Sequence, residues 1–391
     1  MKFKNFKKVD NKIVFNIKDL DVSILNSIRR VILSDILNVA FEYKPYEFEN
    51  KKVNIIENTC SLHNEIILQR LSMIPLKFDE DEIYNFKEED YNFKLKIKNI
   101  TNKMINVTTE NIEIYDKDKK KYNEKFTRKI FPKNKLSGDF ILITKLKPNI
   151  FDKNKGDIID IEMVPTKSTA SDYAGFGYVS QCVYYNVVDE ALAKEALNKK
   201  IEETKNLSKK DIDNLKIDFD TLDKYRYFRK NKYDEPNYFE FHIESESRVS
   251  PEFLFFKAIT IIKNRLEKLI ANIIDGNVKI DLIENSTNMF NFEFTEEGHT
   301  LGNLIQSMFY NYYIREDEKK TIDFVGYNCP HPLDNILHVK IKFNESIKEN
   351  EINKIFIDGI VKIQKDLDNI NTKWIDFSKI NKNLIEVAEY L

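Results

Sequence analysis

The chain has 391 residues, room for two or three domains at the usual ~100–200 residues each. Hydrophobic residues make up 42% and charged residues 32%, and 62 Lys+Arg against 64 Asp+Glu give a formal net charge of −2, which excludes a globally basic nucleic-acid coat. No apolar stretch approaches the ~20 residues of a membrane span, and the charged residues 1–8 have no apolar core after them, so neither a membrane span nor a secretory signal is expected.

In chain order, Phe15 and Ile17 alternate with polar neighbours as a strand. Leu25, Ile28, Ile32, Ile36 and Val39 then recur at three- and four-residue steps, which predicts a helix capped by Asp21 or Ser23. A short helix is expected over 62–73, stopped by Pro75. Acidic runs at 79–82 and 88–90 precede a strand through Phe93, Leu95 and Ile97. The lysine-rich stretch 117–135 reads as a solvated, mobile loop, with phosphate binding as the alternative. Further strands are expected at 139–144, 158–164 and 179–185. Residues 190–235 are polar and mostly charged, and read as a loosely packed helical insertion. Ser250-Pro251-Glu252 opens a long helix with a cap, a proline at the first position and an acid in the first turn. Its Phe255, Ile259, Ile262, Leu266, Leu269 and Ile273 form a narrow seam, and Asp275-Gly276-Asn277 ends it. Ile352, Phe356, Ile360, Ile363, Leu367, Ile370 and Trp374 repeat such a seam in the last helix.

The chain also resembles itself. Residues 15–32 align without a gap to 292–309, at an offset of 277. Phe15 meets Phe292, Asp19 meets Glu296, Ser23 meets Thr300, Asn26 meets Asn303 and Ile28 meets Ile305. Each copy reads as strand, turn and helix, followed later by a seam helix. A narrow seam cannot be buried by one helix alone. Two such units face to face would form a four-helix core, a pseudo-two-fold dimer within one chain.

Asn26-Ser27-Ile28-Arg29-Arg30-Val31-Ile32-Leu33-Ser34 resembles the "N-A-L-R-R-x-L-L-S" motif of the alpha-like subunits of multisubunit RNA polymerases, which comprise bacterial alpha, archaeal D and eukaryotic subunit three. Residues 62–76, from Leu62-His63-Asn64-Glu65 through Arg70-Leu71 to Ile74-Pro75-Leu76, resemble the same family's "L-H-D-E-F-I-x-x-R-L-G-L-I-P-L". His299-Thr300-Leu301-Gly302-Asn303-Leu304 and Gly326-Tyr327-Asn328-Cys329-Pro330-His331-Pro332-Leu333 are similar to motifs of the small partner, archaeal L or eukaryotic subunit eleven. Both halves in one chain resemble the fused subunit of large cytoplasmic DNA viruses. Arg supplies only 9 of the 62 basic residues, and Lys, Asn and Ile are abundant, a skew that fits AT-rich codons. A fused subunit from an unusual eukaryote is the alternative source.

The resemblance implies an α+β fold with two pseudo-two-fold-related alpha-like dimerisation units plus an inserted mainly-β domain. The first unit would be 1–45 with 226–276, the insert 46–225 and the second unit 277–391. It implies a non-catalytic assembly platform that docks the second-largest and largest polymerase subunits. A small subunit of the same assembly would be a further partner. DNA would be reached only through the complex, and neither membrane binding nor a homo-oligomer is expected. The site of action would be the host cytoplasm (the viral factory) and the virion, or otherwise the nucleus.

Asn26, Arg29 and Arg30 carry over as partner-binding, since guanidinium forks suit bidentate carboxylate contacts. Glu65 and Arg70 are partner-binding candidates with a local polar pair as the alternative. His299, Gly302 and Asn303 read first as turn chemistry and second as partner contacts. The three cysteines Cys60, Cys182 and Cys329 lie far apart, which points to a reducing compartment. Cys60 and His63 with Cys329 and His331 would supply four zinc ligands if they met, but their spacing is loose. Many relatives carry a cysteine-rich metal loop after "I-P-L", whereas 78–93 here holds no cysteine, so no metal and no cofactor are expected. The phosphate-binding, dinucleotide and nucleophile-elbow motifs are missing, which leaves no catalytic residue to name. The second reading is a regulatory binding module that touches nucleic acid through 117–135.

Overall fold

The computed structural model describes residues 1–44, 52–152, 155–204, 208–283, 286, 288–317, 321–345, 347 and 349–380. These form two compact units. The first comprises Met1–Val31, Gln181–Glu244 and Phe255–Ile380, and the second Ile32–Ser180 with Ser245–Leu254. Helices and several separate antiparallel sheets make an α+β fold.

The first unit holds two four-stranded sheets of one design. In the first, the spatial order is Lys2–Val9, Lys12–Lys18, Tyr238–Ser245, Val179–Asn186. In the second it is Lys279–Leu282, Met289–Thr295, Ile336–Phe343, Ile322–Asn328. Along the chain each half runs strand, strand, short helix, strand, strand, long helix. The short repeat helices are Val22–Ser34 and His299–Phe309, and the long helices are Pro251–Ile274 and Glu349–Ser378. Register agrees as well. Phe15 faces Phe241 in the first sheet, and Phe292 faces Val339 in the second.

The turns between repeat strand and repeat helix match residue for residue. Asp19 and Glu296, 277 positions apart, both sit in the left-handed region at φ 60° and 63°. The Asp19 N–H donates to the Asn237 carbonyl at 2.8 Å, and the Glu296 N–H to that of Asn335 at 2.7 Å. Aspartate tolerates this conformation better than glutamate, because its short side chain bonds locally.

Packing joins the halves. In the first half, Phe15 stacks on Phe241 with ring centroids 5.6 Å apart. Trp374 of the second long helix completes that cluster, 4.6 Å from Phe15 and 4.4 Å from Phe255. Phe356 plays the central part in the second half, 4.4 Å from Phe292 and 5.2 Å from Phe309. Every seam residue of both long helices is buried, each worth roughly 1.5–3 kcal/mol. The repeat helices run antiparallel and touch reciprocally. Ser27 Oγ donates to the Thr300 carbonyl at 3.4 Å and Arg30 Nε to Thr300 Oγ1 at 2.8 Å. At the other end, Ser307 Oγ donates to Asp21 Oδ1 at 3.3 Å and Asn311 Nδ2 to Asp21 Oδ2 at 2.8 Å. Under the 277 offset Ser307 matches Arg30 and Thr300 matches Ser23, so the exact two-fold counterpart of Arg30–Thr300 would be Ser307–Ser23; Ser307 instead meets Asp21, two residues earlier, and the symmetry is approximate.

The first unit also carries helices Glu190–Glu203 and Lys209–Asp218. The expected insert 46–225 therefore divides. Strand Val179–Asn186 bonds into the first sheet, and residues 181–225 belong with it. Phe219 is buried behind these helices, and Glu235 binds Arg315, which also lies over the rings of Tyr233 and Tyr310. Apart from these contacts the segment is helical and loosely packed, as its composition predicts: among the described residues of 190–235 only Ala193 and Phe219 are buried.

The second unit is mainly β. Its larger sheet orders Val53–Asn58, Ile158–Met163, Asn92–Lys98 and Glu113–Tyr115, with smaller pairs Ile105–Thr108 with Leu142–Leu146 and Asn38–Ala40 with Thr166–Ser168. The first repeat helix stops at Ser34, earlier than its periodicity suggested, and Val39 lies on a strand paired with Lys167. Ser171 caps the Ser34 carbonyl with both its N–H and its hydroxyl at 2.9 Å. The lysine-rich stretch is not all loop. Glu124–Ile130 is helical, anchored by buried Ile130, and Tyr122 and Phe126 stack 4.5 Å apart. Lys129 bridges Asp79 and Glu82 at 2.5 and 2.6 Å, and Arg248 reaches Asp79 at 2.5 Å. Burial alone would raise the Asp79 carboxyl, but these two cations outweigh it and hold it below its ordinary value.

Candidate partner-docking surface

Asn26 and Arg29 are three residues apart on the first repeat helix and so share a face. Arg29 Nε donates to Asn26 Oδ1 at 3.0 Å, which fixes a half-buried guanidinium. Its charge reaches Cys182 and Tyr184 on strand Val179–Asn186. Burial pushes both groups up, Cys182 to about 12, while Arg29 pulls the other way. Among the described residues no carboxylate pairs with the terminal nitrogens of Arg29. A held guanidinium with an open fork is ready to receive a carboxylate. Arg30 differs. Its Nε is committed to Thr300, so in this structure it ties the two halves together.

The second half answers differently at the same positions. Asn303 matches Asn26 and is half-buried. Gln306 stands where Arg29 does, and its Oε1 accepts the Tyr327 N–H at 3.1 Å. His299 is the first residue of its helix, exposed, with its ring edge-on to Tyr327 at 5.8 Å. Gly302 is buried. A Cβ there would lie 2.4 Å from Tyr327 Cδ2 and 2.6 Å from Leu337 Cδ1, so this glycine permits close packing and presents no side chain to a partner.

Glu65 and Arg70 lie on the helix Asn64–Ser72 of the second unit, both exposed. They do not pair. Arg70 Nη1 donates to the Ile143 carbonyl at 2.8 Å, and the two residues stand five positions apart on the helix. Sequence reasoning missed the companions of Arg70, namely Lys145 on the neighbouring strand and Lys147 just beyond it. Their alternation in a lysine-rich chain carries no distinctive signal.

The basic stretch is only partly paired, since Lys119, Lys120 and Lys125 have no carboxylate partner among the described residues. Arg128 pairs with Glu124, Lys121 with Glu113, and Lys129 with Asp79 and Glu82. Among the described residues no group of three or more His, Cys, Asp or Glu side chains is placed to hold a metal ion. No described helix is long and apolar enough to cross a membrane.

A family model described as the RNA polymerase Rpb3/Rpb11 dimerisation domain matches residues 14–266. A second model of that description matches 289–373. Over 77 residues the chain is 39% identical to the DNA-directed RNA polymerases I and III subunit rpac1 of Dictyostelium discoideum, which covers 20% of this chain and 19% of that protein. Over 73 residues it is 34% identical to the same organism's DNA-directed RNA polymerases I and III subunit rpc19, 19% of this chain and 57% of that one. The RPAC1 subunit of Saccharomyces cerevisiae is similar over 296 residues at 25% identity, 65% of this chain and 82% of that protein. The matches to the two Dictyostelium proteins thus span about a fifth and a little over half of their lengths.

Proposed function

The chain belongs to the RNA polymerase Rpb3/Rpb11 dimerisation-domain family, and from that premise we propose that it is a non-catalytic assembly subunit of a DNA-directed RNA polymerase, with both members of the usual pair fused in one chain. The observation that carries this reading is the double architecture. Two sheets of one connectivity, each with a short and a long helix, meet through reciprocal contacts of their repeat helices. Joining the two partners covalently replaces a bimolecular encounter by one at ~mM effective concentration. It also occupies internally the surface a homodimer would use, so the fused chain needs no second copy.

The two outer faces differ in chemistry. The face around Asn26 and Arg29 offers an open cationic fork, and the matching face around Asn303 and Gln306 is neutral. Such unlike faces would assign the second-largest and the largest subunits to different halves. We place the second-largest on the Arg29 face, as the resemblance of that motif implies. A small subunit of the same assembly is the further partner, and DNA is reached through the complex. The AT-skewed composition supports a source among large cytoplasmic DNA viruses.

The test is recovery of the tagged chain from its native source, with mass spectrometry of what comes with it. The two largest polymerase subunits should be recovered in near-equal amounts, and Arg29→Ala should reduce that recovery while leaving the melting curve unchanged. A folded chain recovered without either large subunit would sink the assembly reading.

A further inference from the structure

A groove in the second unit shares no residue with either face described above. It runs between the turn leading into helix Asn64–Ser72 and strand Leu142–Leu146, with a volume of about 340 Å³. Leu62, Met104 and Leu142 give it apolar walls, and Met104 and Leu142 remain 55% and 42% exposed. Arg70, Lys145 and Lys147 line the same groove. The Ile143 carbonyl holds Arg70 in place, and the backbone N–H of Lys147 is fixed by Asp157 Oδ2 at 2.8 Å. None of the three cationic side chains has a carboxylate partner among the described residues. Elsewhere in this unit some lysines are paired, Lys94 with Glu162, Lys96 with Asp160 and Lys121 with Glu113, and others, Lys119 and Lys125 among them, are not. What sets the groove apart is that its three unpaired cations surround one apolar floor.

We propose that this groove receives an extended peptide segment of a partner polymerase subunit, in which carboxylates flank apolar side chains. The volume sits at the low end of the ~300–1,000 Å³ of ligand pockets, which suits a few side chains rather than a whole domain. Arginine and methionine are the residue types enriched at protein interfaces. A carboxylate reaching the Arg70 fork gains a charge-assisted hydrogen bond, and the apolar side chains between the acids cover Met104 and Leu142. Single-stranded nucleic acid fits less well, since no aromatic ring lines the groove for a base to stack on. The inference rests on the assembly reading only for the source of the peptide.

The test uses the full chain and a fluorescein-labelled octapeptide alternating Asp and Leu, titrated by anisotropy at about 50 mM salt, where screening is weak. An octapeptide alternating Lys and Leu and an eight-nucleotide oligothymidylate serve as comparisons. The Asp/Leu peptide should bind and the Lys/Leu peptide should not. Lys145→Glu with Lys147→Glu should weaken the Asp/Leu peptide by ~10-fold or more, through loss of attraction and gain of repulsion. Both lysines are exposed, so the fold should survive, and a second variant, Leu142→Asp, should weaken binding with the cations intact. Equal binding of the two peptides, or unchanged affinity in the double variant, would overturn the proposal. So would tighter, variant-sensitive binding of the oligothymidylate, which would assign the groove to nucleic acid. Failure here alongside intact recovery of the large subunits would remove the groove and keep the assembly reading.

Discussion

The two halves of the first unit share a plan and differ where side chains meet something outside it. At the aligned pair Leu25 and Gly302, the first half fills its own core, whereas the second makes room for Tyr327. At Arg29 and Gln306, one half presents an open guanidinium and the other turns an amide toward its own backbone. At Asp19 and Glu296 both keep the same left-handed turn, one with a residue suited to it and one without. The framework is therefore set by strand order and the seam helices, while a few positions on the repeat helix decide what each face offers.

The shared plan is most easily upset at Trp374, which the second half lends to the first. Trp374→Ala should cost ~3–5 kcal/mol in denaturant unfolding, the usual penalty for deleting a buried indole. A cost below ~1 kcal/mol would mean the halves fold independently. Gly302→Ala should cost ~1–3 kcal/mol by overpacking against Tyr327 and Leu337, although its counterpart in the first half tolerates a leucine. Glu296→Gly should gain up to ~1 kcal/mol by relieving the left-handed turn, and Asp19→Gly should gain less; equal gains would remove the distinction between the turns. The smallest effect concerns the thiols. Cys182 is buried, with its pKa raised to about 12, whereas Cys329 is half-exposed. Iodoacetamide at pH 8 should therefore label native Cys329 before Cys182. The raised Cys182 value also implies a sign. The unfolded thiol ionises near 9 and the folded one near 12, so stability should fall as pH rises across that window and Cys182→Ser should flatten the fall.

The repeat and both seam helices were legible because apolar spacing alone encodes them. The expected seams over 255–273 and 352–374 lie wholly within Pro251–Ile274 and Glu349–Ser378. The end of the first repeat helix was not legible. Ile36 and Val39 continue its phase, but the cap at Ser34 comes from Ser171, far along the chain. The helix Glu124–Ile130 was hidden by its charge, since its apolar anchors are few, Phe126 and Ile130 with the rings of Tyr91 and Tyr122. Among the site residues, the pairing of Asn26 with Arg29 follows from helical spacing. The divergence of Arg30 toward Thr300 does not, because it depends on which residue the other half brings near. Arg70 reads as a motif residue in sequence, but its hydrogen bond to Ile143 and its place beside Lys145 belong to tertiary structure.

The seat of Trp374 bears on how the protein is born. Phe15 and Phe255 leave the ribosome well before their partner, which lies 119 residues after Phe255. At ~5–20 residues per second this is a delay of roughly 6–24 s, during which the first half holds an apolar slot that its own nascent chain cannot yet close. Translation of that stretch is the interval in which a chaperone would engage this protein. A slow stretch of codons there would lengthen the exposure without altering a single residue of the finished chain.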